Sequence, residues 1–297
     1  MNHNCIIILG PTASGKTKLA VETARACNGE IISIDSRQVY KKLDIGTGKD
    51  LHEYEEIPYH LIDLVEPALR YNVHAFAHDF YNAFGEIRGR GKMPVLCGGT
   101  GLYFDTILKK NDLIGIPVQP VLRSFLEKRS REELLDMVDS YKYQGTYRFD
   151  TSSTKRLIRA IEILGYLKTN AVPVTPFQNL KPLIFAPKTT LEQRRKNISL
   201  RLKHRLENGM IEEARGLLEQ GVSHEQLQYF GLEYKFLSLF LQNKINMEQL
   251  YVQLETAIHQ YAKRQMTWWR KMEREGYKIN WVENKNQIAN ILNNEMQ

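Results

Sequence analysis

The sequence predicts an α/β fold, a parallel sheet flanked by helices and interrupted by a helical insertion. Short apolar runs recur at Cys5–Leu9, Glu30–Asp35 and Met93–Gly98, the pattern of strands buried on both faces. Helical periodicity fills the long stretches between them, so the connections are crossovers rather than hairpins. The first run also passes directly into a glycine-rich turn and then a helix.

Taken in order, "CIIIL" opens the sheet and "GPTASGKT" follows it. In the next segment Leu19, Ala20, Thr23, Ala24 and Cys27 share one helical face. The second strand, Glu30–Asp35, ends in an acid. Pro67 interrupts any helix before Asn72, which is placed to cap a helix carrying Val73, Phe76, Ala77, Phe80, Phe84 and Ile87 at steps of three and four. After the third strand comes "GGTGLY", Gly98–Tyr103. Residues 113–120 read as a linker, and 121–143 and 154–168 as helices. The two prolines of "NAVPVTPFQN" break that pattern, and "PLIFAP" reads as a returning strand. The expected division is a first core part at 1–114, an insertion at 115–178, and core completion with C-terminal helices at 179–297. In the last part, 190–216, 225–242 and 247–275 read as helical, before the apolar segment "YKINWV".

The chain has 297 residues, 42% hydrophobic and 25% charged, which excludes a disordered chain. Its net charge of +7 is compatible with a polyanionic partner without requiring one. Three widely spaced cysteines, Cys5, Cys27 and Cys97, fit neither a disulfide framework nor a zinc site. No apolar run approaches the roughly 18 residues of a membrane span, and the N-terminus lacks a signal-peptide pattern. The expectation is a cytoplasmic protein with no membrane partner. His74 and His78 lie four apart on a helix without the acid of an HExxH site.

The strongest chemical signal is Gly10-Pro11-Thr12-Ala13-Ser14-Gly15-Lys16-Thr17, a complete Walker A pattern between a strand and a helix. Its amides and the start of the helix can surround an oxyanion. Lys16 supplies a mobile cation, and Thr17 is placed for Mg2+ bridging phosphate oxygens. The pattern specifies a polyphosphate without specifying ATP. Asp35 falls at the carboxyl edge of the sheet, where ligands gather, and is a candidate general base, metal ligand or turn cap. Gly98, Gly99 and Thr100 end the third strand at the same edge, as a second anion-binding wall or a tight turn. From Arg194 to Arg205 six basic residues occur with no acid; Arg194, Arg201 and Arg205 approximate one helical face, for RNA phosphates or for solvent. Trp268 and Trp269 read as core residues or as stacking groups.

Together, "GPTASGKTKLA", "DSRQVYKKLDIGTGK", "HLIDLVEP", "PVLCGGTGLY", "KRLIRAIEI" and "YAKRQMTWWR" make the chain resemble the bacterial tRNA dimethylallyltransferases (tRNA isopentenyltransferases) from about residue 4 to 275. The resemblance implies a P-loop kinase-like core and an insertion that grips the anticodon stem. The implied activity moves a dimethylallyl group from dimethylallyl diphosphate to the exocyclic amine of the adenine just 3′ of the anticodon. Mg2+ is the implied cofactor, and the enzyme is expected to act as a monomer. Gly10 to Thr17 would hold the diphosphate, with Asp35, Thr12 and Lys16 catalytic. Ser36, Arg37, Gln38, Tyr40, Lys49, Gly98, Gly99, Thr100, Arg156, Arg159, Arg201, Gln228, Arg264 and Gln265 would contact tRNA. The chain departs from the family pattern at Gly48-Lys49-Asp50, at "DTSSTKRLIRAIE", and at Gln228–Tyr234. A nucleotide kinase would use the same cradle for ATP, but "DSRQVY" and "KRQMTWWR" have no place in one. A non-catalytic RNA-binding module would leave Lys16, Thr17 and Asp35 without a reason to be combined.

Overall fold

The computed structural model describes residues 3–109, 112–173 and 179–296. Strands β1 (Cys5–Leu9), β2 (Gly29–Ile34), β3 (Tyr59–His60), β4 (Met93–Gly98), β5 (Pro182–Pro187) and β6 (Ile279–Val282) form one parallel sheet in the order β3-β2-β4-β1-β5-β6. The strands expected from apolar runs are all present. β2 stops one residue early, leaving Asp35 just beyond its end. β3, two residues long, is too short to leave a sequence pattern.

The helices are α1 (Lys16–Ala26), α2 (Val73–Gly89), α3 (Gly101–Leu108), α4 (Pro120–Leu126), α5 (Arg131–Ser140), α6 (Thr154–Leu167), α7 (Leu191–Glu207), α8 (Met210–Glu219), α9 (His224–Tyr229), α10 (Leu232–Leu241), α11 (Met247–Arg274) and α12 (Lys285–Met296). Asn72 caps α2, its side chain accepting from the amides of His74 and Ala75. Three expected long helices are in fact pairs. Ser130 and Glu133 form a capping box that starts α5 as a separate element. Gly209, at φ 96°, divides α7 from α8, and the chain turns at Phe230-Gly231 between α9 and α10. Helix α12 follows β6, beyond the elements that the sequence pattern predicts.

Alternation along the strands builds two cores. Cys5, Ile7, Leu9, Ile32 and Ile34 face one, with residues of α2, α3 and the helices from α7 to α11. Ile6, Ile8, Ile31, Val95 and Cys97 face the other, covered by α1 and α12. Cys5 and Cys97 are buried core residues. In α11 the buried positions Leu250, Leu254, Ile258, Ala262, Gln265, Trp269 and Met272 recur at steps of three and four. The stripe seats this 28-residue helix against the first core.

The chain divides into two compact units, Met1–Leu108 with Gln178–Gln297, and Lys109–Phe177. The second has its own small core of Leu126, Leu134, Leu157, Ile158 and Ile161. Beside it Glu162 is fully buried, bound by Arg123 at 3.1 and 2.6 Å and by the Gln119 amide at 3.1 Å. Part of the expected proline break, 174–178, lies outside the described residues. No helix among the described residues is long and apolar enough to cross a membrane.

Candidate active site

The carboxyl ends of β1, β2 and β4 open into a cavity of about 580 Å³. Thr12 to Thr17 line it from one side, Asp35 to Gln38 and Cys97-Gly98 from the sheet edge, and residues of α7, α9–α10 and α11 from the other. This is the edge at which a parallel sheet collects ligands, because each strand hands its backbone to a loop there.

The glycine-rich loop is braced from three directions. The Thr12 amide donates to Gln265 Oε1 at 2.9 Å, while Gln265 Nε2 donates to the Gly99 carbonyl at 2.9 Å. Asn197 Nδ2 donates to the Ala13 carbonyl at 3.2 Å. Arg201 donates through Nη2 to the Thr12 hydroxyl. The amides left for an anion therefore begin after Thr12. Within the loop the Ser14 hydroxyl is buried without a hydrogen-bond partner. A buried polar atom without a partner costs free energy, so this hydroxyl marks where a ligand oxygen would bind. Thr17 lines the same cavity, and its hydroxyl has no protein partner among the described residues.

Lys16 lies in the cavity wall, and burial pulls its pKa below the usual ammonium value. Cys97 and Asp35 oppose that shift, and Arg201 and Arg205 reinforce it. Arg201 is pushed down to about 10, chiefly by burial and then by Arg205, and so stays charged at neutral pH. Asn197, Arg201 and Arg205 step by four along α7 and present one polar face to the cavity. Arg205 pairs with Asp50 at 3.1 Å. This concentration of cation around an unpartnered hydroxyl suits a polyanion.

Asp35 faces the same cavity as Lys16. Its Oδ1 accepts from the amides of Arg37 at 2.8 Å and Gln38 at 3.4 Å, while Oδ2 has no protein partner among the described residues. One carboxylate oxygen therefore fixes the turn, and the other is left open toward the cavity. Ser36 is held by its amide on Thr100 Oγ1 at 3.3 Å. Glu233, on α10, also lines the cavity, and burial raises its pKa. The Cys97 thiol, pushed up to about 12 by burial, stays protonated at neutral pH.

Several residues expected to touch RNA make internal contacts in the free protein. Lys49 is buried, and its ammonium binds the Tyr40 carbonyl at 2.7 Å, Asp44 at 2.6 Å and Asp63, closing its own loop. Tyr40 is fully buried, its hydroxyl accepting from the Tyr71 amide at 2.8 Å. Gln38 accepts from Ser33 Oγ at 2.9 Å and donates to the Gly48 carbonyl at 3.0 Å. Gln265 lines the cavity but is buried, with both ends of its amide engaged, so it braces the cradle. Gly98 is packed inside β4. In the second unit, Arg159 spends its guanidinium on the carbonyls of Leu113, Ile116 and Pro117 and on Glu162, which ties the unit's own linker. Arg156 is exposed, paired with Asp150 at 2.8 Å.

Of the expected RNA-contacting residues, Ser36, Arg37, Gln38, Gly98, Arg201, Gln228, Arg264 and Gln265 line the cavity. Trp269 is fully buried against Phe104, whereas Trp268 is half-buried. Asn197, Glu53 and Tyr261 line the site without having been singled out. The four-residue step from Asn197 to Arg201 is the available signal for the first, Tyr261 opens the motif "YAKRQMTWWR", and no pattern marks Glu53.

Residues 38–272 match the sequence profile of IPP transferases, and residues 3–57 that of isopentenyl transferases. The chain belongs to the IPP transferase family. Family relatives include tRNA dimethylallyltransferase 1 of Azobacteroides pseudotrichonymphae, 48% identical over 98% of this chain and 97% of that protein. Another, of the same name from Parabacteroides distasonis, is 46% identical over 99% of both chains. Among solved structures, the tRNA isopentenylpyrophosphate transferase of Bacillus halodurans superposes with a TM-score of 0.72 at 28% identity, covering 99% of this chain and 97% of its own. The P-loop, the parallel sheet and the helical insertion are thus the architecture of this family.

Proposed function

We propose that the chain transfers a dimethylallyl group from dimethylallyl diphosphate to the exocyclic amine of the adenine immediately 3′ of the anticodon in tRNA, releasing diphosphate. The observation that carries this reading is one cavity that holds both an anion cradle with an unpartnered Ser14 hydroxyl and the open carboxylate oxygen of Asp35. Family membership supplies the reaction class.

In this reading the diphosphate sits against Lys16, Arg201, Ser14 and the amides from Ala13 to Thr17. These groups face the charge that grows as the donor's carbon–oxygen bond breaks, so they stabilise the transition state more than the ground state. The adenine nitrogen bonds to the allylic carbon, diphosphate leaves, and the amine proton passes to Asp35 Oδ2. The carboxylate takes that proton late, as the nitrogen bonds to the allylic carbon, since a neutral adenine amine is far too weak an acid. Thr17 and the donor's own phosphate oxygens fit a Mg2+ ion, which would neutralise charge on the leaving diphosphate. Arg37, Gln228 and Arg264 line the way to the amine acceptor, and Ser36 with Thr100 shapes the wall beside it. The target adenine is already unpaired in the anticodon loop, so lifting it from the stack costs less than opening a duplex. The second unit, with exposed Arg156, takes the stem. The enzyme acts as a monomer in the cytoplasm, where tRNA is available.

Labelled dimethylallyl diphosphate, an anticodon stem-loop and an adenine-to-guanine control test this reading, beside an ATPase assay. Label is expected in the adenine-containing loop and absent from the control. ATP-dependent phosphorylation without prenyl transfer would overturn the reading in favour of a kinase.

A further inference from the structure

At the edge of the cavity Tyr229 is 37% exposed, at the end of α9. Its hydroxyl donates to the Tyr71 carbonyl at 3.1 Å, and the Phe230 ring meets it edge-on at 6.1 Å. The ring is therefore fixed at two points yet open to solvent. Two guanidiniums lie over it, with Arg37 Cζ at 4.8 Å and Arg70 Cζ at 5.6 Å from the ring centre. Neither has a carboxylate partner among the described residues. Arg37 lines the cavity, whereas Arg70 is exposed and lies outside its lining. The cluster thus spans the rim.

The part-exposed ring and the two cations without carboxylate partners near its centre leave both stacking surface and positive charge at the rim. A ligand that offers a flat π surface together with negative charge would satisfy both features. An unpaired nucleotide does so, because its base stacks on the phenol or on a guanidinium plane while its phosphate neutralises the cations. We propose that Tyr229, Arg37 and Arg70 form a stacking platform that takes a second unpaired nucleotide of the RNA, one flanking the adenine that reacts. The inference rests on the RNA-prenylating reading of the same cavity. Tyr229 is a positioning residue here. Holding the neighbouring nucleotide at the rim fixes the backbone on one side of the target and steers the extracted adenine toward Asp35.

Steady-state transfer with intact anticodon stem-loops, and with loops carrying one abasic nucleotide at each flanking position in turn, tests the platform. Tyr229→Ala is expected to raise KM for the intact stem-loop about 5- to 100-fold, as for the loss of one stacked base, while KM for the donor stays unchanged. Tyr229→Phe, which keeps the ring, should restore the wild-type KM. One abasic position should raise KM for the wild type by a similar factor and cause no further loss in Tyr229→Ala. A Tyr229→Ala penalty that adds in full to every abasic substrate would overturn the platform, as would an unchanged KM or an equal rise in the donor KM. A wild-type enzyme inert on the intact stem-loop would overturn the prenyl-transfer reading and the platform together. Activity without that non-additivity would overturn the platform alone.

Discussion

Gln265 offers the sharpest test of how the cradle is built. It is buried, accepts the Thr12 amide at 2.9 Å and donates to the Gly99 carbonyl at 2.9 Å, so one side chain clips the glycine-rich loop to the end of β4. Gln265→Leu fills nearly the same space but leaves a backbone donor and a backbone acceptor without partners. Each such group costs about 1–3 kcal/mol when buried. Water entering from the cavity relieves part of that, which leaves an expected loss of about 2–4 kcal/mol and a fall in thermal midpoint of about 4–10 °C. Donor affinity, measured by titration calorimetry, should fall about tenfold or more, because the loop's amides lose their fixed aim. Gln265→Glu provides an internal control. Ionised, it sets a carboxylate oxygen against the Gly99 carbonyl; protonated, it can make both of the original bonds. Its folded-state pKa is thus raised, so its stability is present at low pH and lost as pH rises through that value. The defect should shrink on acidification. A Gln265→Leu enzyme that melts within about 1 °C of wild type and binds the donor equally well would refute the brace.

Further outcomes follow from single contacts. Lys16→Met removes a buried cation without a carboxylate partner among the described residues and relieves its repulsion from Arg201 and Arg205, so the free protein should melt no lower than wild type. The stabilisation that saturating donor gives wild type, about 2.7 kcal/mol at a hundredfold excess over Kd, should vanish; calorimetric melts with and without donor show both. At Gly48, with φ +65°, a Cβ would lie 2.0 Å from Arg205 Nη2. Gly48→Ala should cost about 1–2 kcal/mol through the left-handed backbone and displace Arg205 from Asp50, read as a raised donor KM. Hydrogen bonds from Arg90, at 3.1 and 2.7 Å, hold the Glu30 carboxyl below the usual carboxylate range, with burial opposing them. That stability is present above the ordinary carboxylate pKa and lost as pH falls through the depressed one. Arg90→Ala should therefore lower the melting temperature at pH 7, with the gap to wild type closing below about pH 4.

The parts of the fold legible in the sequence are those governed by local periodicity. β1, β4 and β5 match their apolar runs residue for residue, and Asn72 caps its helix as its side-chain chemistry requires. Helix lengths were read too long where a short-range signal was overruled, at the Ser130 capping box and at Gly209. The glycine-rich loop and Asp35 were legible as chemistry because they carry spacing. The roles of Gln265 and Lys49 were not. Whether an amide or an ammonium meets a substrate or its own backbone depends on partners 166 and 9 residues away in the chain, which only folding brings together. Motif position therefore marks the neighbourhood, while the internal partners of each side chain are set by the fold. Tyr229 shows the converse, since only its exposure and the two cations beside it distinguish it from another helix-end aromatic.

In the proposed mechanism the carboxylate of Asp35 receives the amine proton beside a diphosphate held by the cradle. Single-turnover transfer by Asp35→Asn, at saturating donor and stem-loop and with donor affinity measured in parallel, tests it directly. The expected result is a rate lowered by about 10² to 10⁴ with the donor Kd within a few-fold of wild type. A wild-type rate with weakened donor binding would contradict it and leave Asp35 as a mere turn cap or a support for the diphosphate.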